Sequence, residues 1–503
     1  MNVAAPSRLQ STRQFGVCSA KNIEILTHPL QHFANKHMRY TPLLSRPALT
    51  AFFNGRSRSI QKFSSEAFLV VDIFSLAYYV LAFYPGYLTG DSIYMLSQGA
   101  GNQPISNWHP PFITITWGLL YGIFKSAGGI WIFQVALFIL AAHFFSAGLR
   151  NKIVALLCHC LILIYPPIVT NMAALWKDDW VIIFTLFCAG FALRGIKSHS
   201  LLHAHAAGFF FVLASLTRID YLIVALPFAF GAFLSCEKKD CSKWYKRTSA
   251  LGLMLYLFVL IAGSQLAGTF VEKRLNPWAT IAIWDIAGIS NGTESKNPLP
   301  GYYCTTSDPL VFGEHRLYSI TLPEEPDDKV DEAMEIPQAW LDAITSHPTA
   351  YINHRLCVAK QFFGLKRHVH YPYPSPVFVK SPLSQSAERS PLNLGIYWFY
   401  DSHAHGLMFR YCVYLMICFI ITGMSYRTRS IDLFQLVLLA SIFMSAARFI
   451  ILPASDFRYG LWMVVGTILL IAVFMDGMTN RIRTKISSME INDSSTKNSE
   501  LPK

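Results

Sequence analysis

Charged residues are scarce in this sequence. They make up 14% of its 503 residues, whereas 53% are hydrophobic. Soluble domains carry about a quarter charged residues, so an ordinary soluble protein is excluded. The net charge of +12 does not indicate nucleic acid as a partner, because excess Lys and Arg in a membrane protein mark cytoplasmic loops.

Cysteine motifs and a signal peptide are also lacking. The ten cysteines include no CxxC pair and no His–Cys metal spacing, so the sequence shows no cysteine-based metal or redox motif. Cys304 and Cys357 share one polar region and could pair if that region is extracytoplasmic. No apolar run lies near Met1, so we expect no secretory signal. Residues 1–65 are rich in Arg and Ser and predict a basic, disordered cytoplasmic tail. The alternatives are a transit peptide and upstream sequence included by a wrong start codon.

Long apolar runs, by contrast, recur along most of the chain. Runs of roughly 15–22 apolar residues predict transmembrane helices. The apolar segments are 67–84, 111–124, 130–148, 152–170, 180–194, 205–217, 221–235, 250–268, 407–424, 431–452 and 458–476. The sequence therefore predicts an all-α polytopic membrane protein.

The basic clusters fix the orientation. If all these segments crossed the membrane, "LRNK" at 149–152 would lie outside, against the positive-inside rule. The segment 111–124 is short, and Pro110 and Pro111 suit a helix start. A juxtamembrane or re-entrant helix at 111–124 places every basic cluster inside. About ten spans then remain, and both termini are cytoplasmic.

This topology divides the chain into five regions. They are a cytoplasmic tail (1–65), an N-terminal membrane module that would carry catalysis (66–268), a soluble extracytoplasmic loop domain (269–406), the C-terminal membrane helices (407–478) and a disordered cytoplasmic tail (479–503).

The same topology collects charged residues on the outer face. They are Asp91, His109, Lys177, Asp178, Asp179, Arg218, Asp220, Asp456 and Arg458. Charges at membrane helix ends are costly unless they pair or function. Each residue alone could be a capping or snorkelling charge, but their convergence predicts a site. Its cations suit a phosphate, and its carboxylates suit a general base or a divalent metal.

Short motifs in these stretches carry a family resemblance. Asp91 in the first outer loop is followed by "HPP" at 109–111, then by "WKDD" at 176–179, "TRIDY" at 217–221 and "DFRY" at 456–459. In these motifs, from about residue 68 to 475, the chain resembles the GT-C glycosyltransferases, which take a sugar from a polyprenyl-phosphate carrier. The "HPP" element is similar to that of protein mannosyltransferases and aminoarabinose transferases.

The resemblance implies roles for individual residues. Asp91 would be the base or would orient the acceptor hydroxyl, His109 would bond sugar or phosphate, and Lys177 would assist the phosphate. Asp178 or Asp179 would hold the acceptor or a metal, and the sequence does not choose between them. The substrate-binding residues would be Trp108, Arg218, Asp220, Arg458 and Tyr459.

Two departures from the family pattern limit these expectations. "GDS" at 90–92 stands where several GT-C families have a DE or DxD pair, so a divalent metal stays possible and the sequence does not decide whether the reaction needs one. The WWDxG signature of oligosaccharyltransferases is absent from the sequence, which argues against that branch.

The expected activity is therefore transfer of a sugar from a polyprenyl-phosphate donor to a hydroxyl of a lipid, glycan or protein acceptor. Membrane lipids are the remaining partners, and we expect a bacterial inner membrane with the site facing the periplasm. A transporter or lipid flippase is the first alternative, although the charges lie at one rim and no internal repeat is evident. An acyltransferase with His109 or His143 as base is the second alternative.

Overall fold

The structure is a computed structural model. It describes residues 57–236, 243–275, 277–292, 330–365, 390–403, 406–450 and 456–499, and the regular elements in these ranges are helices. Residues Gln61–Lys503 form one compact unit, which contains the site described below, and a second unit comprises Met1–Ile60. The predicted tail at 1–65 lies outside the described residues up to residue 56.

The helices follow the apolar segments of the sequence. In chain order they are α1 (Ser57–Phe83), α2 (Gly90–Gly99), α3 (Pro111–Phe124), α4 (Ala127–Ala147), α5 (Lys152–Ile164), α6 (Pro166–Met172), α7 (Lys177–Ser198), α8 (Leu201–Thr217), α9 (Leu222–Ser235), α10 (Lys243–Gly268), α11 (Ala279–Gly292), α12 (Val330–Ser346), α13 (Pro348–Phe362), α14 (Pro391–His403), α15 (Tyr411–Arg427), α16 (Leu433–Ala447) and α17 (Leu461–Ser499). Every apolar segment of the sequence coincides with a helix or a helix pair, which confirms the all-α prediction for these residues.

Six helices of the described chain are long and apolar enough to cross a membrane, and the pair α5–α6, bent by 52°, would be a seventh span. Four further apolar helices have 10–17 residues: Pro111–Phe124, Leu201–Thr217, Ile219–Ser235 and Tyr411–Arg427. The protein is therefore consistent with an integral membrane protein. The total of about ten spans, with α3 beside the membrane, stays a prediction.

Helix α7 lies at the centre of the bundle. It packs against α4, α8 and α9, and nearly all of its residues from Asp178 to Leu193 are buried. The bend between α5 and α6 occurs at Tyr165–Pro166, where proline removes a backbone donor and breaks the helix. Helix α6 then leads back to the start of α7, so the loop after α1 and the "WKDD" stretch meet.

The first outer loop contains a helix that the sequence did not predict. Helix α2 begins with a capping box between Thr89 and Ser92, a pattern that satisfies two free N–H groups. It packs closely on α3, because a Cβ built on Gly118 would lie 2.2 Å from the backbone oxygen of Gly99. This glycine contact lets α2, which carries Asp91 in its first turn, lie directly against α3.

The region 269–406, predicted as a loop domain, contains helices α11–α14. Asp285 of α11 is fully buried and accepts hydrogen bonds from Trp340 (3.0 Å) and Arg355 (2.7 Å). Cys357 is disulfide-bonded. Its predicted partner, Cys304, lies outside the described residues, so that pairing stays a prediction.

The chain end differs from the expectation. The sequence predicts a disordered tail at 479–503, whereas α17 continues to Ser499. No proline lies between α17's start and Pro502, so nothing in the sequence removes a helix hydrogen bond before that point.

Candidate functional site

The charged stretches are brought together by backbone pairing between two loops. The Tyr87 N–H donates to the Ala173 carbonyl (3.0 Å), and the Leu175 N–H donates to the Tyr87 carbonyl (2.9 Å). The Ser92 hydroxyl donates to the Leu175 carbonyl (2.5 Å). These bonds place the first turn of α2, which carries Asp91, beside the first turn of α7.

Asp91 lies at the open side of this junction, with 35% of its side chain exposed. Arg458 Nη1 donates to its Oδ2 (2.8 Å), and His109 Nε2 lies 3.9 Å from its Oδ1. Burial acts to raise the pKa of Asp91, but the positive charges of Arg458 and Lys177 outweigh it and hold that pKa well below its usual value. Asp91 is therefore ionised at neutral pH.

His109 is buried between Asp91 and Lys177. Its side chain is 4% exposed, and Lys177 Nζ donates to Nδ1 at 2.6 Å. Burial, followed by the charge of Lys177, lowers the pKa of His109 from 6.5 to about 3. The imidazole is thus neutral, and because Nδ1 accepts a hydrogen bond, the ring proton is on Nε2, which faces Asp91.

A chain of ion pairs extends from Asp178 into the bundle. Arg218 forms an ion pair with Asp178. It also donates two hydrogen bonds to the Asp220 carboxylate, from Nε (3.0 Å) and from Nη2 (2.9 Å). Arg448, which is 1% exposed, donates from Nε to the same Asp220 carboxylate (2.9 Å) and from Nη1 to the Tyr459 carbonyl (3.0 Å). Buried charges of this kind persist only when they are paired and hydrogen-bonded.

Arg458 connects this chain to Asp91. In addition to its bond with Asp91, Arg458 has its Nε 2.8 Å from Asp456 Oδ2 and its Nη1 3.8 Å from Asp178 Oδ2. Two aromatic rings cover its guanidinium, with Trp176 at 5.2 Å and Tyr459 at 5.3 Å from their centroids. The Arg218 guanidinium also lies over the Tyr459 ring, 4.8 Å from its centroid, so one aromatic ring contacts both arginines.

Most of the residues predicted from the sequence lie in this cluster. Those in direct contact are Asp91, His109, Lys177, Asp178, Arg218, Asp220, Arg458 and Tyr459. Asp179 is fully buried and lies 3.5 Å from the Gln134 amide, with no cation within 4.0 Å among the described residues. Trp108 is partly exposed beside His109, and its backbone N–H donates to the Ser106 hydroxyl.

Sequence reasoning missed Arg448 and undervalued Trp176. Arg448 lies inside the apolar segment 431–452, and an arginine in such a segment is costly without an acid, which was an available signal. Trp176 donates from Nε1 to Thr89 (2.8 Å) and stacks on Arg458. No sequence feature distinguished it from an interfacial tryptophan.

Four acidic side chains of the cluster are balanced by four basic ones. Asp91, Asp178, Asp220 and Asp456 face Arg218, Arg448, Arg458 and Lys177. Lys177 differs from the three arginines, because its close partner is a neutral imidazole and no carboxylate lies within 4.0 Å of Nζ in the described chain. Lys177 is therefore the cation best placed to attract an anion.

The carboxylates of the cluster are held by arginines, and among the described residues they do not form a three-ligand group with metal-like spacing. No family model matches the chain, and no curated protein is significantly similar to it. The chemistry of the cluster and its short motifs therefore carry the functional argument.

Proposed function

We propose that the protein is a membrane glycosyltransferase that moves a sugar from a polyprenyl-phosphate carrier to an acceptor hydroxyl at the extracytoplasmic face. The observation that supports this most is the partly exposed, ionised Asp91 beside Arg458 and Lys177. This reaction requires a base and phosphate-binding cations that lie close together.

In this proposal the acceptor hydroxyl attacks the anomeric carbon of the donor sugar. The bond between that carbon and the carrier phosphate oxygen breaks, the new glycosidic bond forms, and the hydroxyl proton passes to Asp91. A single displacement of this kind inverts the configuration at the anomeric carbon.

Arg458 couples the base to the leaving group. Its hydrogen bond to Asp91 (2.8 Å) makes Asp91 a weak base while no carrier is bound. A phosphate that takes hydrogen bonds from Arg458 would weaken that hold and add negative charge nearby, and both effects raise the pKa of Asp91. The base would thus be activated when the donor is in place.

Lys177 and His109 would form the second side of the phosphate site. Lys177 retains two N–H groups beyond the one given to His109, because an ammonium carries three. His109 keeps its Nε2–H toward Asp91, 3.9 Å from Oδ1, and that proton suits a sugar hydroxyl or the glycosidic oxygen. A neutral imidazole there adds a donor without adding charge.

The disulfide at Cys357 supports an outer location for the domain at 269–406. Disulfides persist in oxidising compartments such as the periplasm and the lumen of the endoplasmic reticulum. We propose a bacterial inner membrane with the charged cluster facing the periplasm.

The test uses purified protein in detergent with radiolabelled polyprenyl-phosphate sugars and an extract of lipids and glycans. Wild type is compared with Asp91→Asn and with Asp342→Asn, an exposed acid of α12 that serves as the control. We expect transfer by wild type and the control, and binding of the carrier without transfer by Asp91→Asn.

Two results would overturn parts of the proposal. Failure of wild type to bind any carrier would remove the glycosyltransferase assignment. Full transfer by Asp91→Asn would keep the activity and reject Asp91 as the base.

A transporter or lipid flippase is the second candidate, and one observation favours it. Asp72, within α1, contacts His143 and His159 of α4 and α5, and ionisable residues inside membrane helices often mark transport pathways. Carrier translocation in vesicles that is lost in Asp72→Asn and kept in Asp91→Asn would favour this candidate.

A further inference from the structure

A second polar cluster lies far from Asp91, among three membrane helices. His143 Nδ1 and His159 Nε2 each lie 2.7 Å from a different oxygen of Asp72. The three ligand atoms are all within 4.8 Å of one another. Eleven residues separate Asp72 from Phe83 at the site end of α1, a distance of roughly 16 Å along the helix.

The surroundings of this cluster are apolar. The Phe68 ring lies 5.1 Å from the His143 ring and 5.0 Å from the His159 ring. His159 is fully buried, whereas 36% of the His143 side chain is exposed. A carboxylate and two imidazoles brought together from three helices serve no purpose in the proposed transfer, yet they are expensive to place in a membrane.

We propose that Asp72, His143 and His159 bind one divalent transition-metal ion of the zinc class. Two imidazoles and one carboxylate are an established donor set for zinc, with a fourth position left to water. Coordination would neutralise the half-buried carboxylate of Asp72 and tie α1, α4 and α5 together, and the exposed edge of His143 would provide a path of entry. This inference is independent of the glycosyltransferase proposal.

Metal binding requires a small rearrangement. Zinc lies about 2.0–2.1 Å from nitrogen and oxygen ligands. In tetrahedral geometry the ligand atoms are therefore about 3.3 Å apart. The contacts of Asp72 with His143 and His159, each 2.7 Å long, would have to lengthen by about half an ångström.

The affinity expected for the metal depends on Nδ1, the ring nitrogen of His159 that would not bind the ion. Coordination through Nε2 would place the ring proton on Nδ1, which is buried with no hydrogen-bond partner among the described residues. One unpaired buried N–H weakens binding by roughly ten- to hundredfold, so we expect moderate affinity.

The test is metal binding by the full-length protein in detergent, freed of any histidine tag. Zn²⁺ is counted by mass spectrometry after dialysis, and Co²⁺ is added as a spectroscopic probe whose visible bands report the ligand geometry. The variants are Asp72→Asn and His143→Gln, and the control is His205→Gln, a half-buried histidine of α8 outside the cluster.

We expect one ion per chain in wild type and in the control, with affinity lowered more than about a hundredfold in both cluster variants. Zn²⁺ should also raise the Tm of wild type and leave the Tm of His143→Gln unchanged, since an ion that binds the folded state stabilises it. Absence of stoichiometric binding in wild type, or equal binding in wild type and both cluster variants, would overturn the proposal.

Discussion

Protonation of His109 is expected to destabilise the protein in mild acid. In the folded protein its pKa is lowered to about 3, first by burial and then by Lys177, whereas the ordinary value is 6.5. Between these values the unfolded chain binds more protons than the folded one, so stability rises with pH and is lost as pH falls below 6.5. Linkage gives a loss of about 2 kcal/mol between pH 7.5 and pH 5 from this residue alone.

The measurement is the free energy of unfolding at both pH values, from equilibrium unfolding in mixed micelles. His109→Gln cannot titrate, so its loss between pH 7.5 and 5 should be about 2 kcal/mol smaller than that of wild type. His205→Gln, which changes a half-buried histidine of α8 outside the cluster, is the control for the substitution itself. If wild type and His109→Gln lose the same stability, His109 is not held neutral and the tautomer argument fails.

Three further predictions use the same unfolding measurement. Lys177→Met removes a charge that lowers the histidine's pKa, so acid should destabilise this variant less than wild type; an unchanged pH dependence would contradict this. Asp220→Asn leaves the buried Arg448 without its acid, so it should lower the free energy of unfolding by about 3–5 kcal/mol. Adding Arg448→Met should restore part of this free energy. No recovery in the double variant would refute the pairing. Gly118→Leu should lower the free energy of unfolding by at least about 1–3 kcal/mol, because the added Cβ would meet the backbone of Gly99. Gly122→Ala, where the added Cβ would lie in open space, should leave the free energy of unfolding unchanged.

The sequence predicted the helices well, because the membrane leaves a long apolar run few choices. Backbone polar groups in lipid must be satisfied within the segment, and a helix does this. Segments such as 130–148 and 250–268 accordingly became α4 and α10. Helix α2 was missed, because its ten residues include glycines, serine and glutamine and are stabilised by a cap and by packing on α3.

The choice between Asp178 and Asp179 shows what a sequence leaves open. Adjacent residues on a helix point about 100° apart, so one of the pair faces Arg218 and the other faces the bundle. Which one does so depends on the rotation of α7 against α4 and α8, and that rotation is set by packing of the whole bundle. Arg448 was missed for a related reason, since its partner Asp220 is 228 residues away.

The balanced charges of the cluster match the change in charge that the proposed reaction produces. A sugar linked to a polyprenyl phosphate carries one negative charge, and the departing phosphate gains a second one. Lys177, which has no carboxylate within 4.0 Å of Nζ in the described chain, would match the first. In the proposed reaction, the proton passed to Asp91 would neutralise the carboxylate that holds Arg458, and this would release the guanidinium to match the second. The cluster would therefore stabilise the leaving group more than the bound donor, which is the condition for lowering the barrier rather than only tightening binding.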